Sequence, residues 1–131
     1  MKKTLPLFIA LLSIMLTNAQ LVADDTFESG IFKYTVSTAV EAGSPNTVNL
    51  SGIATGASIP EALVIPASVT EGGFDYTIAL IGGNIFKNNS TITSLRIEGD
   101  PVFGSQAFRN CSMLKTIDLP LATSIGAGAA E

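Results

Sequence analysis

A segment of about 22 residues that occurs twice constrains the fold of this chain more than any other feature. Phe86–Gly104 aligns with Phe108–Gly126, so that aromatic, amide, hydroxyl, aliphatic and glycine positions coincide. The coinciding pairs are Phe86 and Phe108, Asn88 and Asn110, Ser90 and Ser112, Ile92 and Leu114, Ser94 and Thr116, Leu95 and Ile117, Ile97 and Leu119, Phe103 and Ile125, and Gly104 and Gly126. Ile81-Gly82 extends the match by one earlier step, because it coincides with Phe103-Gly104. A unit this short cannot bury its own apolar side chains, so each unit must stack on a neighbour.

Each repeat has the pattern of one short strand and one turn. Ile92-x-x-Leu95-x-Ile97 and its equivalent at 114–119 both end in an alternating apolar pair, which predicts a half-buried strand. The glycines at 82, 104 and 126 suit a tight turn in which a β-carbon would clash. Ser105–Arg109 predicts one short helical turn that begins at Ser105 as its cap. The phenylalanines at 86 and 108 are predicted to stack as a ladder in the core.

Two longer stretches show the full pattern, and a third precedes them. The two stretches are Ile81–Asn89 with Ser94–Ile97, and Phe103–Ser112 with Thr116–Pro120. They resemble the I-G-x-x-A-F-x-x-C-x-x-L-x-x-I-x-[IL]-P coil of the BspA-like leucine-rich repeats of bacterial surface proteins. Upstream, Val64–Val69 and Phe74–Leu80 predict two strands joined by a hairpin at Glu71–Gly73, similar to the entry strand and hairpin of that family.

The resemblance implies a mainly β fold, a leucine-rich-repeat solenoid of about 22-residue coils with short helical turns. It also implies adhesion or binding of host or matrix proteins, but no ligand motif that transfers to particular residues. Asn89 departs from the pattern, because Cys111 lies at its position one coil later. Ala130 departs as well, because the next phenylalanine of the repeat would fall there.

The N-terminal third predicts the strands of a cap for one end of the solenoid. Ile31–Val36 alternates apolar and polar residues, which predicts a strand with one buried face. A turn cluster at 43–46 precedes Thr47–Ile53, which predicts the returning strand. We therefore divide the chain into residues 1–19 as a signal peptide, 20–62 as a β-rich N-terminal cap, and 63–131 as leucine-rich repeats whose last coil is incomplete.

The first 19 residues have the pattern of a cleaved secretory signal. Lys2 and Lys3 precede the apolar run Leu5–Leu16, and Ala19 offers a small residue before the expected cut. The run is shorter than the ~20 residues that a membrane-spanning helix needs, so no stable span is expected after cleavage. Loss of the two lysines changes the net charge from −4 to −6. The sequence thus predicts a secreted or cell-surface protein.

Composition excludes several classes of function. The chain has 7 basic and 11 acidic residues, which disfavours binding to nucleic acid. It has no histidine and a single cysteine, so a histidine-containing or Cys–Cys metal site and a histidine-dependent triad are absent. No nucleophile–base pair can be assembled, and we predict a non-enzymatic protein with no catalytic, cofactor-binding or metal site and no cofactor. Cys111 is expected to be a small buried hydrophobe.

The repeat places several polar side chains side by side on the predicted strands. Arg96 and Asp118 occupy equivalent positions of successive coils, so stacking brings them together either as part of a ligand-contacting spot or as a cross-strand ion pair. The candidate ligand-facing surface consists of Thr93, Ser94, Arg96, Thr116 and Asp118. Tyr34 and Tyr76 are predicted to be exposed aromatics. The repeat asparagines are predicted to cap turns through their side chains.

Two functions are consistent with these patterns. The first is a secreted or surface-attached leucine-rich-repeat protein that binds a protein partner, in adhesion for example, through its stacked strands. The second is a structural spacer or N-terminal module of a larger exported protein whose active domain lies downstream. Residues 119–131 show no C-terminal cap, which is expected either in a fragment of a longer array or in a chain that self-associates through this uncapped end.

Overall fold

A computed structural model describes residues 20–39 and 46–121 of the chain. These residues form strands joined by turns, and none of them is helical. The strands are β1 (Thr26–Ser29), β2 (Phe32–Thr38), β3 (Asn46–Ile53), β4 (Ala62–Ile65), β5 (Ser68–Glu71), β6 (Phe74–Ile81), β7 (Ser94–Ile97), β8 (Val102–Phe103) and β9 (Thr116–Asp118). The mainly β prediction is confirmed. The signal peptide, most of the turn at 43–46, Gly126 and the last coil lie outside the described residues.

The larger sheet combines the N-terminal strands with strands of the repeat region. Its order is β1-β2-β3-β6-β5, and β8 also pairs with β6. The strands predicted near 31–36, 47–53 and 74–80 are confirmed as β2, β3 and β6, whereas β1 was not predicted. Gly72 and Gly73 join β5 to β6 with φ values of 57° and 84°, as a two-residue hairpin with the native twist requires. β3 runs parallel to β6, which joins both regions in one sheet.

The smaller sheet consists of three parallel strands in the order β4-β7-β9. Leu95 lies beside Leu63 on one side and beside Ile117 on the other. The pairing of β7 with β9 follows the 22-residue shift read from the sequence, so this part of the stacking prediction is confirmed. Leu63, Ile65, Leu95 and Ile97 point inward and are buried. Their alternation with exposed residues determines which side chains face outward.

One predicted strand is in fact two. The prediction of a single strand over Val64–Val69 is wrong, because the chain leaves the smaller sheet after Ile65 and enters the larger one at Ser68. Pro66 lies at this corner, where its lack of an N–H prevents it from continuing a hydrogen-bonded ladder. Ala67 then accepts a hydrogen bond from the Ile78 amide at 3.0 Å, which attaches the corner to β6.

Two glycines lie where the chain closely approaches a preceding segment. The Gly82 amide donates to the Leu50 carbonyl at 2.8 Å, and the Gly104 amide donates to the Ile81 carbonyl at 2.7 Å. A β-carbon on Gly104 would meet the Gly83 nitrogen and would lie 2.7 Å from the Gly82 carbonyl carbon. The predicted steric reason for these glycines is confirmed at both positions.

The turn segment of the repeat is stacked but not helical. The short helical turn predicted over Ser105–Arg109 is absent, because Gln106 has a φ of 58°, in the left-handed region. The segment instead forms consecutive turns, with hydrogen bonds from the Ala107 amide to Gly104 and from the Arg109 amide to Gln106. It also pairs with the preceding coil, since the Phe86 amide donates to the Ala107 carbonyl at 3.0 Å.

Aromatic rings fill the core, including two that were expected at the surface. Phe86 and Phe108 stack with centroids 4.9 Å apart and planes 8° apart, as predicted. The prediction that Tyr34 and Tyr76 are exposed is wrong, because both are fully buried. Burial raises the pKa of Tyr34 to about 12. Among the described residues the buried hydroxyl of Tyr76 has no hydrogen-bond partner.

Candidate functional site

The outward side of the smaller sheet brings the predicted surface residues together. We call it the strand face, and it consists of Ala62, Val64, Ser94, Arg96, Thr116 and Asp118. These side chains form two rows across β4, β7 and β9, one through Ser94 and one through Arg96. Strands of a sheet lie about 4.8 Å apart, so neighbours within a row are in contact range. The strand face is therefore a small, regular surface of mixed polarity on a hydrogen-bonded scaffold.

Four of the five predicted surface residues lie on the strand face, and the fifth lies at its border. Ser94, Arg96, Thr116 and Asp118 occupy successive outward positions of β7 and β9. Thr93 precedes β7 and is half-buried, and its hydroxyl donates to the Glu61 carbonyl at 3.2 Å. Thr93 therefore supports the start of the sheet.

The sequence reasoning did not place Ala62 and Val64 on this face. Ala62 and Val64 lie on β4, which is separated from β7 by 32 residues instead of 22. A search at a fixed shift of 22 could not find them. The available signal was the alternation of Leu63 and Ile65 with Ala62 and Val64, which already predicts a strand with one outward side.

Arg96 lies next to two carboxylates at the strand face. Its Nη1 donates to Oδ2 of Asp118, and its Nε lies 3.7 Å from Oε1 of Glu98. All three side chains are about half exposed. The predicted cross-strand contact of Arg96 with Asp118 is therefore present, as a solvent-exposed ion pair with a second carboxylate nearby.

The exposure of this cluster predicts a small effect on stability. We expect Arg96→Ala to change the free energy of unfolding by less than ~1 kcal/mol, because solvent screens exposed ion pairs. Urea denaturation of the variant and the parent protein measures the difference directly. A loss several times larger would mean that Arg96 supports the fold and not only the surface.

The side chains of the repeat asparagines form hydrogen bonds within a turn or between successive coils. Oδ1 of Asn89 accepts hydrogen bonds from the amides of Thr91 and Ile92, each at 2.8 Å. Nδ2 of Asn110 donates to Oδ1 of Asn88 at 3.0 Å, which links successive coils. Asn88 and Asn110 have φ values of 60° and 59°, a conformation that asparagine tolerates better than most residues. The prediction that these asparagines cap turns through their side chains is confirmed for Asn89, whereas the side chains of Asn88 and Asn110 bond to each other.

The side chains of Cys111 and Glu28 form hydrogen bonds within the fold. Sγ of Cys111 donates to the Phe86 carbonyl at 3.2 Å, and burial raises the pKa of its thiol. Hydrogen bonds from the amide and hydroxyl of Thr55 lower the pKa of Glu28. Within 20–39 and 46–121, no group of three or more cysteine, aspartate or glutamate side chains could hold a metal ion. The same residues contain no helix that is long and apolar enough to cross a membrane.

Comparison with known proteins identifies bacterial leucine-rich repeat proteins as structural neighbours. A leucine rich cell surface protein from Faecalibacterium prausnitzii A2-165 superposes with a TM-score of 0.55 and 26% identity, over 73% of this chain and 24% of its own. A leucine-rich repeat protein from Bacteroides capillosus ATCC 29799 superposes with a TM-score of 0.56 and 24% identity, over 72% of this chain and 64% of its own.

These similarities cover most of this chain but only part of each neighbour. The chain spans about a quarter of the first protein and less than two thirds of the second. No protein-family model and no curated protein matches the sequence. The structural neighbours nonetheless agree with the resemblance inferred from the 22-residue repeat. This chain is similar in structure to bacterial leucine-rich-repeat surface proteins, as its sequence predicted.

Proposed function

We propose that this chain is an exported, non-enzymatic leucine-rich-repeat module that binds a protein partner at the cell surface. The proposal is supported by the structural similarity to a bacterial leucine rich cell surface protein. In this proposal residues 1–19 direct export and are removed after Ala19. The biological role is adhesion, with a host or matrix protein as the partner.

The strand face is the observation that carries this proposal. Val64 exposes 46% of its surface beside the Arg96–Asp118 ion pair, so an apolar contact lies next to directional polar groups. Protein interfaces combine such apolar contacts with polar groups, and arginine is enriched in them. Hydrogen bonds between the strands hold these side chains in fixed relative positions, which reduces the entropy lost on binding.

The same proposal assigns a role to each part of the chain. Residues 63–131 form the leucine-rich repeats of a solenoid, and residues 20–62 cap its N-terminal end. The parallel pairing of β3 with β6 supports this assignment, because it covers an edge that the first coil would otherwise expose. A protein of this kind acts by binding its partner and catalyses no reaction itself.

The alternative function is a structural spacer or N-terminal module of a larger exported protein. One observation favours it: Arg96 is already engaged by Asp118 and lies near Glu98. A partner would have to compete with these carboxylates for its guanidinium. In a spacer the strand face would bind no partner and would only face solvent.

A pair of matched substitutions distinguishes the two functions. Val64→Asp adds a charge to the strand face, whereas Val22→Asp adds the same charge to a more exposed valine near the N-terminus. We expect the parent protein and Val22→Asp to bind at least one of immobilised fibronectin, fibrinogen or laminin in surface plasmon resonance. We expect Val64→Asp to bind about tenfold more weakly. Binding to none of them would favour the spacer, and equal binding by both variants would contradict the strand face as the binding surface.

A further inference from the structure

The first described residue, Gln20, is attached to the fold by its side chain. Its Nε2 donates to Oδ1 of Asn46, the first residue of β3, at 2.8 Å. Gln20 and Leu21 are both half-buried, and Leu21 packs against the hydrophobic core. The end segments of proteins are poorly ordered unless such contacts tie them down. Gln20 is therefore part of the fold.

The residues that follow Gln20 are fixed to β2 within a few positions. The Asp24 amide donates to the Val36 carbonyl at 2.9 Å, and the Val36 amide donates to the Asp25 carbonyl at 2.8 Å. The backbone at Gln20 is therefore held close to the sheet. In the proposed function a cut after Ala19 makes Gln20 the N-terminal residue, so its new α-amine would lie at a half-buried position.

A charged ammonium group is unfavourable at such a position. Burial of a charge costs free energy unless a partner compensates it. Glutamine can remove this charge, because attack by its own α-amine on the side-chain amide carbon closes an unstrained five-membered ring. An α-amine loses its proton more readily than a lysine amine does, so part of it is a free nucleophile at neutral pH.

We propose that Gln20 cyclises to pyroglutamate after the cut behind Ala19. The α-nitrogen forms a bond to Cδ, the bond between Cδ and Nε2 breaks, and Nε2 leaves as ammonia with the proton that the amine gives up. The product is a neutral lactam at the end of the chain. An aminopeptidase that needs a free α-amine cannot then shorten the exported protein. This inference rests on the export and the cut in the proposed function.

The hydrogen bond between Gln20 and Asn46 is compatible with this step. A chain that is exported unfolded is cut before Asn46 reaches Gln20, so ring closure breaks no hydrogen bond. The lactam keeps one N–H donor and one carbonyl acceptor, and the side-chain amide of Asn46 can bond to either. In the folded protein Asn46 can therefore still hold the modified end.

Mass spectrometry of the native protein tests the proposal. The protein is taken from the secreted and envelope fractions of the organism that makes it and is denatured. Its primary amines are dimethylated, and a protease then cuts it after glutamate. We expect the peptide of residues 20–28, which contains no lysine, to carry no label and to have a mass one ammonia below that of its sequence. Because labelling precedes digestion, cyclisation during digestion cannot produce this result.

Gln20→Asn, made in the same organism, is the matched control. Asparagine keeps the side-chain amide, but attack by its α-amine would close a strained four-membered ring, so its peptide should carry the label. An unlabelled end in this variant would point to another blocking group and would overturn the proposal. A labelled Gln20 in the native protein would overturn it while leaving the cut after Ala19 intact. An N-terminus at another residue would overturn both the proposal and that cut.

Discussion

Replacing Phe108 with alanine is expected to remove about 3–5 kcal/mol from the free energy of unfolding, enough to unfold much of the chain. Phe108 is buried between two aromatic neighbours. Its ring stacks on Phe86 and meets the edge of Phe103 at a centroid distance of 6.2 Å. Alanine would leave a cavity that the stacked turns cannot close, because backbone hydrogen bonds fix their separation. Urea denaturation followed by circular dichroism measures the loss.

The control for this substitution is Val102→Ala, which also truncates an apolar side chain near the same end of the repeats. Val102 is 67% exposed, so its loss should change stability little. A melting curve of Phe108→Ala that matches that of Val102→Ala would contradict the stacked-coil packing.

Gly104→Ala should also lower the free energy of unfolding substantially, but because it adds a β-carbon where there is no space for one. The new β-carbon would lie 2.8 Å from the Ile81 carbonyl oxygen and would press on the backbone at Gly83. Backbone atoms cannot rotate away, so the coils must move apart and stretch the bond between the Gly104 amide and Ile81. We expect a loss of about 2–3 kcal/mol or more in urea denaturation.

Gly52→Ala is the matched control for this prediction. A β-carbon at Gly52 would meet only the Lys33 side chain, at an ordinary contact distance of 3.9 Å. Alanine also restricts the unfolded chain more than glycine does, so stability there should be unchanged or slightly higher. Equal losses at Gly52 and Gly104 would show that the close approach of the coils is not the cause.

The 22-residue shift predicted the features that depend on stacking. The Phe86–Phe108 ladder, the contact of Arg96 with Asp118 and the tight approach at Gly104 each follow from placing one repeat on the next. When two segments repeat at a constant spacing and form parallel strands, equivalent residues lie side by side. The register of these strands therefore follows from the repeat alone.

Features that depend on the meeting of two sheets could not be read from the repeat. The split of the predicted Val64–Val69 strand at Pro66 transfers the chain from one sheet to the other, and no local pattern specifies the second sheet. Gln106 adopts a left-handed conformation that glycine or asparagine would have signalled. Gln106 itself gives no such signal, although Asn84, at the equivalent position of the preceding coil, does and has a φ of 62°.

The tyrosines show how two sequence signals can conflict. Tyr34 alternates with Phe32 and Val36 along β2, which indicates burial and conflicts with the prediction that it is an exposed aromatic. The area of the ring outweighs one polar atom in a strand whose other inward residues are apolar. Tyr76 is buried even though its hydroxyl finds no partner among the described residues.

The parallel pairings imply a direction in which the chain can fold. β6 pairs with β3, β8 with β6, β7 with β4 and β9 with β7, so in each case the later segment adds to the edge of an earlier one. The antiparallel pairing of β2 with β3 is the more local contact and can form first. A chain that emerges with its N-terminus first, from a ribosome or an export channel, would therefore find each docking edge complete before the next coil arrives.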